Sequence, residues 1–228
     1  MKRFPHYPIF IDVEDRDVVI VGGGDVCARK ADTMLRYGAR VTVVAPDFSP
    51  DIEAHAAADR LKIRRKRWEE DDLEGAVLVI ASTDDPEVNT KIAAHCRRLR
   101  IPVNVVDVPE LCEFIVPAIV DQGSIHLAIS TEGKSPALAR TIREELQQRI
   151  GPEYAELNEL LGSLREAAKR TLPTDTDRKR FFDGILATGV LPMMREGRRS
   201  EAIEAIATAC QAAGVEVSEM VRRAMARG

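Results

Sequence analysis

One stretch decides the fold class of this chain: Val18-Val19-Ile20-Val21-Gly22-Gly23-Gly24-Asp25-Val26-Cys27-Ala28-Arg29-Lys30. Four β-branched residues, typical of a buried strand, lead into three glycines, and a helical pattern follows them. A strand, glycine turn and helix in this order bring the backbone close to a pyrophosphate at a helix N-terminus. We expect Gly22 to make the tight turn and Gly24 to permit the close approach. The alternative is a plain glycine turn after a strand.

The sequence around this stretch favours a dinucleotide site over a plain turn. The third position of the G-x-G-x-x-G fingerprint is Cys27, which is still small enough for close packing of helix against strand. Small and apolar residues up to Gly38 predict a helix that packs closely and then stops. A second predicted strand, residues 40–44, follows at once and completes the β-α-β unit that the fingerprint requires.

The first half of the chain alternates predicted strands and helices, which favours a doubly wound α/β sheet. The predicted strands are residues 9–13, 18–21, 41–44, 61–65, 76–81 and 101–106, and the predicted helices are 26–37, 50–59 and 87–99. The runs at 114–120 and 124–130 predict a hairpin, and Ser135-Pro136 begins a helix over 137–150. Later segments look helical, with breaks at 171–175 and near Leu191-Pro192. We therefore divide the chain into residues 1–113, 114–150 and 151–228.

Composition narrows the class of protein. Of 228 residues 45% are hydrophobic, which is ordinary for a chain with a packed core, and the net charge of -4 argues against a general nucleic-acid binder. The four cysteines are scattered, so we expect neither a zinc site nor a disulfide framework, but a reduced, cytoplasmic protein. Residues 1–8 have no apolar core of a signal peptide, and no apolar run approaches the ~20 residues of a membrane span.

The basic run at residues 60–67 has two interpretations. It is either an anion-binding patch or a solvated edge strand whose charge is compensated by the acidic residues at 69–72, and we favour the edge strand. We expect Trp68, which lies between the two blocks, to be a packing anchor.

Several runs together resemble the precorrin-2 dehydrogenase family, the dehydrogenase module of siroheme synthases. These runs are Pro8-Ile9-Phe10, residues 21–26 with Arg29-Lys30, Ala45-Pro46, residues 79–85 with Asn89, residues 103–107 and residues 131–140. They occur in order from residue 8 to about residue 150, and only length and helical character match beyond that point. The resemblance implies an NAD-binding Rossmann-type parallel sheet over residues 1–113 and a small α+β dimerisation region over 114–150. It also implies a helical C-terminal tail over 151–228 that helps to frame the active-site cleft.

The resemblance also implies an activity. Members of this family oxidise precorrin-2 to sirohydrochlorin with NAD⁺ and form homodimers, and some relatives also insert Fe²⁺ to give siroheme. Two other hypotheses remain open: a dimeric Rossmann module that senses NAD(H) without turnover, and a chelatase whose nucleotide site is vestigial. Intact Gly22 and Gly24 argue against the vestigial site.

The expected cofactor site is NAD-binding and comes from four loops. We expect its residues to be Gly22, Gly23, Gly24, Asp25, Val26, Pro46, Asp47, Ser82, Thr83 and Asn104. The Asp25 carboxylate should turn away from phosphate and cap the helix, because a free carboxylate there would repel the ligand. No Arg or Lys follows Asp47 to receive a 2′-phosphate, which favours NAD⁺ over NADP⁺. Ser82 and Thr83 have helix capping as an alternative role, and Asn104 either contacts the cofactor or holds its loop.

Asp107 is the candidate catalytic residue. It follows the fifth predicted strand, and open α/β sheets bind ligands outside the carboxyl ends of their strands. The family's catalytic Asp occupies the matching place in the run Asn104-Val105-Val106-Asp107, and its role there would be general base. The alternative is a turn-capping Asp before Pro109.

Precorrin-2 carries many carboxylate arms, so its site should be electropositive. Lys134, Arg140 and Arg143 are the candidates for substrate binding, with a solvated helix face as the equal alternative. Thr131 stands where some relatives carry Ser, so a hydroxyl role there is inherited only conditionally. We expect His126, alone on a predicted strand, to be packed and not a metal ligand.

Overall fold

The computed structural model describes residues 6–226 and divides the chain into two compact units between Val116 and Pro117. Residues 1–5 lie outside the described residues, and they make up most of the N-terminal stretch, residues 1–8, in which the sequence predicts no signal peptide. Within them, no helix is long and apolar enough to cross a membrane.

The first unit is a doubly wound parallel sheet, as the sequence predicts. Its elements are β1 (Asp17–Val21), α1 (Asp25–Arg36), β2 (Arg40–Ala45), α2 (Pro50–Ala57), β3 (Lys62–Arg65), β4 (Leu78–Ala81), α3 (Pro86–Leu99) and β5 (Val103–Val105). Short 3-10 helices span Glu70–Leu73 and Pro109–Leu111. The five strands are parallel in the order β3-β2-β1-β4-β5.

Strand alternation distributes the core of this unit over both faces of the sheet. Val18 and Ile20 of β1 pack on one side with buried residues of α1 and α2. Val19 and Val21 point the other way and pack with α3. Because both faces are covered, β1 reads as a continuous apolar run and shows no polar alternation.

The second unit is a hairpin followed by helices. Its elements are β6 (Ala118–Gln122), β7 (Ile125–Ile129), α4 (Pro136–Arg149), α5 (Pro152–Ser163), α6 (Arg165–Thr171), α7 (Asp175–Ala187), α8 (Val190–Arg195), α9 (Arg199–Ala212) and α10 (Glu219–Met225). Ser135 caps α4 by accepting the Leu138 N–H at 3.2 Å, as its sequence predicts. Apolar residues of α5 to α10, among them Leu164, Ile185 and Ile206, form a separate core.

Three details differ from the sequence predictions. Residues 9–13 form no strand, and Ile9 and Phe10 are 64% and 76% exposed, so this apolar run pairs with no sheet edge. The hairpin turn lies at Gly123 (φ 61°), because Asp121 and Gln122 still pair with β7. Pro192 does not break a helix: it lies in the first turn of α8, where no N–H is needed, and the break is at Gly189.

The basic run behaves as a solvated edge strand, as favoured. β3 is the edge of the sheet, and its cations pair with nearby acids: Arg64 with Asp72 at 2.6 Å, and Arg65 with Glu53. Trp68 packs against the core face that contains α3.

Asp72 anchors this edge. Its carboxylate is 4% exposed and accepts the Glu69 N–H at 2.8 Å, the Arg64 guanidinium at 2.6 Å and the Lys66 ammonium at 3.1 Å. Burial alone would raise the pKa of Asp72, but these donors outweigh burial and hold the pKa below its usual 3.8.

We expect Asp72→Ala to lower the free energy of unfolding by about 1–3 kcal/mol at neutral pH, because it removes the buried acceptor of the Glu69 N–H and of two cations. A depressed folded-state pKa stabilises the fold above the ordinary carboxyl pKa of 3.8 and loses this effect as pH falls through the lower value. Urea unfolding should therefore show a difference between parent and variant that shrinks in acid. Asp71→Ala, at an exposed neighbouring position, is the matched control. Equal effects of the two substitutions would contradict the anchoring role.

Candidate functional site

The carboxyl ends of the parallel strands bring the candidate residues of the first unit to one edge of the sheet. The chain runs outward from β1 to β2 and β3, then returns to β4 on the other side of β1. The helices that follow β1 and β4 therefore pack on opposite faces of the sheet, and this switch point is where open α/β sheets hold their ligands.

The glycine loop is shaped by close contacts with its neighbours. Gly22 has φ 131°, and a Cβ there would lie 2.6 Å from the backbone oxygen of Ser82. A Cβ on Gly23 would overlap the backbone oxygen of Asp47. The first two glycines are thus required by the fold itself, since the loops after β4 and β2 press on them.

Gly24 is different, because it faces open space. It is the N-cap of α1, and a Cβ built on it would meet nothing within 4 Å. No side chain of the described residues caps this helix, so its first-turn N–H groups remain open to an anion. The arrangement fits a pyrophosphate group at Gly24, Asp25 and Val26. Asp25 was expected to cap the helix; this was wrong, since Asp25 is itself the first helical residue.

The loop after β2 is tied to the glycine loop. The Ser49 N–H donates to the Gly23 carbonyl at 2.7 Å, and Pro46 and Asp47 are exposed beside it. The Ser49 hydroxyl is buried and has no hydrogen-bond partner among the described residues, although Ser49 holds the N-cap position of α2. Ser49 is not among the site residues that the sequence singles out, and its unpartnered hydroxyl is a polar group that a ligand could satisfy.

A cation of strand β3 also lies near this loop. The two are far enough apart in the sequence that their proximity cannot be seen from it. Arg65 follows Arg64 on β3, in register with Ala45, and its guanidinium lies 4.9 Å from the ring centroid of Phe48. The same guanidinium is bonded to Glu53 of α2. Arg65 is therefore held by two partners, and it is not free to receive a phosphate.

The loop after β4 is held by its own side chains. The Thr83 hydroxyl donates to Asn89 Oδ1 at 2.8 Å, and the Asn89 amide donates to the Thr83 carbonyl at 2.9 Å. Asp85 caps α3 by accepting the N–H groups of Glu87 and Val88. Helix capping is thus performed by Asp85, whereas Asn89, 4% exposed, fixes the loop at Thr83.

Ser82 links the loop after β4 to helix α1. Its N–H donates to the Val21 carbonyl at 2.8 Å, its hydroxyl donates to the same carbonyl at 3.4 Å, and the hydroxyl also faces the Cys27 thiol of α1. Burial raises the pKa of Cys27 to about 12 despite the Ser82 hydrogen bond. The residue at the third fingerprint position is therefore a packing residue, and its thiol stays protonated at neutral pH.

Asn104 holds a loop, one of the two roles considered for it. It is 7% exposed, and its amide donates to the Phe114 carbonyl at 3.0 Å and to Cys112 Sγ at 3.6 Å. The Cys112 thiol in turn donates to the Val105 carbonyl at 3.1 Å. This small network closes the segment after β5 over the strand from which Asp107 emerges.

Asp107 is presented at the end of β5 in a left-handed conformation. Its φ is 61°, which Asp tolerates better than most residues, and its side chain is exposed. Its carboxylate accepts no hydrogen bond from any described residue, so it does not act as a turn cap. The cation that acts on it is Lys30 of α1: burial and the neighbouring Arg29 lower the pKa of Lys30, and Asp107 partly offsets this.

Comparisons with known proteins agree with this geometry. The family model described as "Putative NAD(P)-binding" matches residues 9–118, "Sirohaem biosynthesis protein central" matches 122–149 and "Sirohaem synthase dimerisation region" matches 153–209. The chain belongs to the siroheme synthase N-terminal module family.

Full-length relatives of this family are longer than the chain. The siroheme synthase of Psychrobacter sp. (strain PRwf-1) is 40% identical over 200 residues, which are 88% of this chain and 41% of the relative. That of Methylobacillus flagellatus is 40% identical over 196 residues, 84% of this chain and 42% of the relative. The chain thus spans about two fifths of these siroheme synthases.

A solved structure has the same fold along nearly the whole chain. SirC, precorrin-2 dehydrogenase, superposes with a TM-score of 0.71 at 28% identity and covers 89% of this chain and 100% of its own. The likeness extends beyond the parallel sheet into the hairpin and helices of the second unit.

The predicted substrate cations of this family member lie in the second unit. Lys134 is paired with Glu132 at 2.7 Å, and Arg143 lies 3.4 Å from Glu144. Arg140 is exposed and has no ion pair among the described residues. The Nε of Arg143 is buried without a hydrogen-bond partner among those residues. Arg140 and Arg143 share a face of α4, three residues apart.

Two further side chains of the second unit have structural partners. The Thr131 hydroxyl donates to the Ser135 carbonyl at 3.0 Å and so ties the loop to the start of α4. His126 pairs across the hairpin with Asp121 at 3.4 Å. Among the residues that the structure describes, no three His, Cys, Asp or Glu side chains cluster as metal ligands.

Gly23 and Gly24 should differ in how much stability the same substitution costs. We expect Gly23→Ala to lower the free energy of unfolding by about 1–3 kcal/mol, because the new Cβ overlaps a backbone oxygen that cannot move without the whole loop. Gly24→Ala should cost less than about 1 kcal/mol, since its Cβ enters open space at a helix N-cap. Urea unfolding of the two variants makes the comparison. A Gly23→Ala variant as stable as Gly24→Ala would show that the loops do not press on each other.

Proposed function

We propose that this chain oxidises precorrin-2 to sirohydrochlorin with NAD⁺ as its cofactor. The observation that carries the proposal is the Asp107 carboxylate, which lies at the carboxyl end of β5 without a hydrogen-bond partner among the described residues. The name of the structural neighbour, precorrin-2 dehydrogenase, supports the same substrate.

The cofactor would be held by the loops that meet at the switch point. Gly22 and Gly23 shape the turn, the backbone of Gly24, Asp25 and Val26 receives the pyrophosphate, and Pro46 and Asp47 line the adenosine side. We add the Ser49 hydroxyl to this set, because it is buried and unpartnered there. The amide of Asn104 and the hydroxyls of Ser82 and Thr83 are bonded within the protein, so we assign these residues to positioning the loops.

The reaction removes a hydride and a proton from the reduced macrocycle. NAD⁺, when bound, supplies the hydride acceptor, and the products are sirohydrochlorin, NADH and one proton. Asp107 would accept the proton as general base, for which a free carboxylate at a ligand-binding strand end is suited. Lys30 contributes a partly desolvated positive charge that attracts this carboxylate.

The remaining assignments concern substrate, assembly and compartment. Lys134, Arg140 and Arg143 would bind carboxylate arms, and Arg140 supports this best because it lacks an ion pair among the described residues. We propose that the chain forms a homodimer. The family model of the sirohaem synthase dimerisation region matches residues 153–209, whereas the sequence predicted the dimerisation region at residues 114–150. Four free cysteines, three of them buried, support the reducing cytoplasm.

Anaerobic incubation with enzymatically made precorrin-2 and NAD⁺ tests the activity directly. We expect NADH to form together with the sirohydrochlorin spectrum. NAD⁺ binding without turnover would instead favour a sensing module. Adding Fe²⁺ afterwards measures metal insertion, a step suggested by the relatives' name, siroheme synthase. Siroheme formed faster than without protein would extend the proposal to that step.

Asp107→Asn should reduce kcat for precorrin-2 oxidation about 100-fold or more, because an amide cannot accept the proton. NAD(H) affinity and the free energy of unfolding should stay as in the parent, since the side chain bonds to no described residue. Glu110→Gln, an exposed carboxylate in the following 3-10 helix, is the control and should keep full activity. Turnover by Asp107→Asn at the parental rate would remove Asp107 from the mechanism.

Glu53→Gln should weaken the preference for NAD⁺ over NADP⁺ several-fold. The substitution removes the charge that holds Arg65, so the guanidinium beside Phe48 becomes available to a 2′-phosphate. The measurement is the ratio of kcat/KM for the two cofactors. Asp51→Asn removes an equal charge from the same helix and should leave the ratio unchanged. An unaltered ratio in Glu53→Gln would mean that Arg65 does not reach the adenosine ribose.

A further inference from the structure

A basic groove lies in the second unit, among helices α5, α6 and α7. Its volume is about 840 Å³, within the range of small-molecule sites. Four cations, Arg165, Lys169, Arg178 and Lys179, line it together with two carboxylates, Glu159 and Asp175. All of these residues belong to one unit, so the groove is complete within it.

Two of the four cations are already neutralised. Lys169 is bonded to Glu166 at 2.6 Å, and Arg178 is bonded to Asp175 and donates to the Leu172 carbonyl at 2.7 Å. Arg165 and Lys179 make no hydrogen bond or ion pair with any described residue, and both side chains are exposed. The groove thus presents two unpaired positive charges, on α6 and α7, although the chain as a whole carries a net charge of -4.

Two apolar side chains form the part of the groove lining that we call its floor. Leu161 and Phe182 are half-buried there and pack against the core of the helical unit. Gly162 lies within α5, where glycine is less stable than alanine, yet a Cβ on it would meet nothing within 4 Å. No packing contact requires this glycine. Its effect is to leave this position of the groove lining without a side chain.

We infer that this groove binds an anion with an apolar body and several carboxylates, which Arg165 and Lys179 hold. The choice of a tetrapyrrole polycarboxylate as the occupant rests on the proposed function, because precorrin-2 and sirohydrochlorin have this chemistry. Arg165 and Lys179 would then be substrate-binding residues in addition to Arg140. Small anions such as pyrophosphate could use the cations but not the apolar floor.

Uroporphyrin, a stable porphyrin with carboxylate arms on every pyrrole ring, is the probe. Its binding to the intact chain is titrated by fluorescence without NAD⁺, and amide hydrogen exchange locates it. The double variant R165Q/K179Q removes the two unpaired cations. The control R170Q/R180Q removes two cations from the same helices that are paired with Glu216 and Asp177 and do not line the groove.

We expect uroporphyrin to bind about tenfold more weakly to R165Q/K179Q than to R170Q/R180Q. Two exposed ion pairs between a cation and a carboxylate together change the dissociation constant by about a factor of ten. Uroporphyrin should protect the amides of residues 158–182 in the parent, and G162L should weaken binding by filling the floor. Added salt should reduce the difference between the double variants.

Three results would overturn the inference. One is equal uroporphyrin affinity in both double variants, and another is displacement by pyrophosphate as effective as by a second porphyrin. The third is protection of residues 158–182 that needs no ligand and rises with protein concentration, because a second copy of the chain would then cover the groove. Failure of precorrin-2 turnover with intact uroporphyrin binding would refute the proposed activity and leave the groove assignment standing.

Discussion

The organisation of the candidate site depends on one steric constraint: three loops meet at Gly22 and Gly23 with no room for a side chain. The backbone oxygen of Ser82 presses on Gly22, and that of Asp47 presses on Gly23. These contacts fix the loops after β1, β2 and β4 relative to one another. They also direct helix α1 so that its N-terminus opens into free space at Gly24. A nucleotide site of this kind is therefore built by packing before any ligand contact is made.

At this edge of the sheet, the residues that build the site differ from those whose side chains remain available to a ligand. The Thr83 hydroxyl donates to Asn89, and the Asn104 amide donates to the Phe114 carbonyl. Polar groups that are hydrogen-bonded within the protein in this way make the loops rigid. Ser49 and Asp107 have side chains with no hydrogen-bond partner among the described residues. Two free polar groups on a rigid edge are what a preorganised site requires, because ordering them on binding costs little.

Sequence patterns predicted much of the fold because they reflect local physics. The doubly wound sheet and the Ser135 cap follow from strand runs, glycine turns and capping residues that act within a few positions. What sequence could not show depends on distant partners. Asp25 lost the capping role because its backbone is already helical, and Pro192 was tolerated because it fell in a first turn. The pairing of Arg65 with Glu53 and Phe48 joins three elements, and no spacing rule predicts it.

Net charge proved a poor guide to local electrostatics in this chain. The acidic total of -4 argues against a general affinity for polyanions, but it says nothing about where unpaired cations remain. Most of the exposed cations discussed above are held by a carboxylate, as Arg64 is by Asp72 and Lys134 by Glu132. Arg140, Arg165 and Lys179 differ from these cations, because they have no ion pair among the described residues. An acidic protein can therefore bind a polycarboxylate at sites where cations are unpaired. Salt screens charges beyond about 10 Å, so the attraction depends on the charges near the site and little on the net charge of the chain.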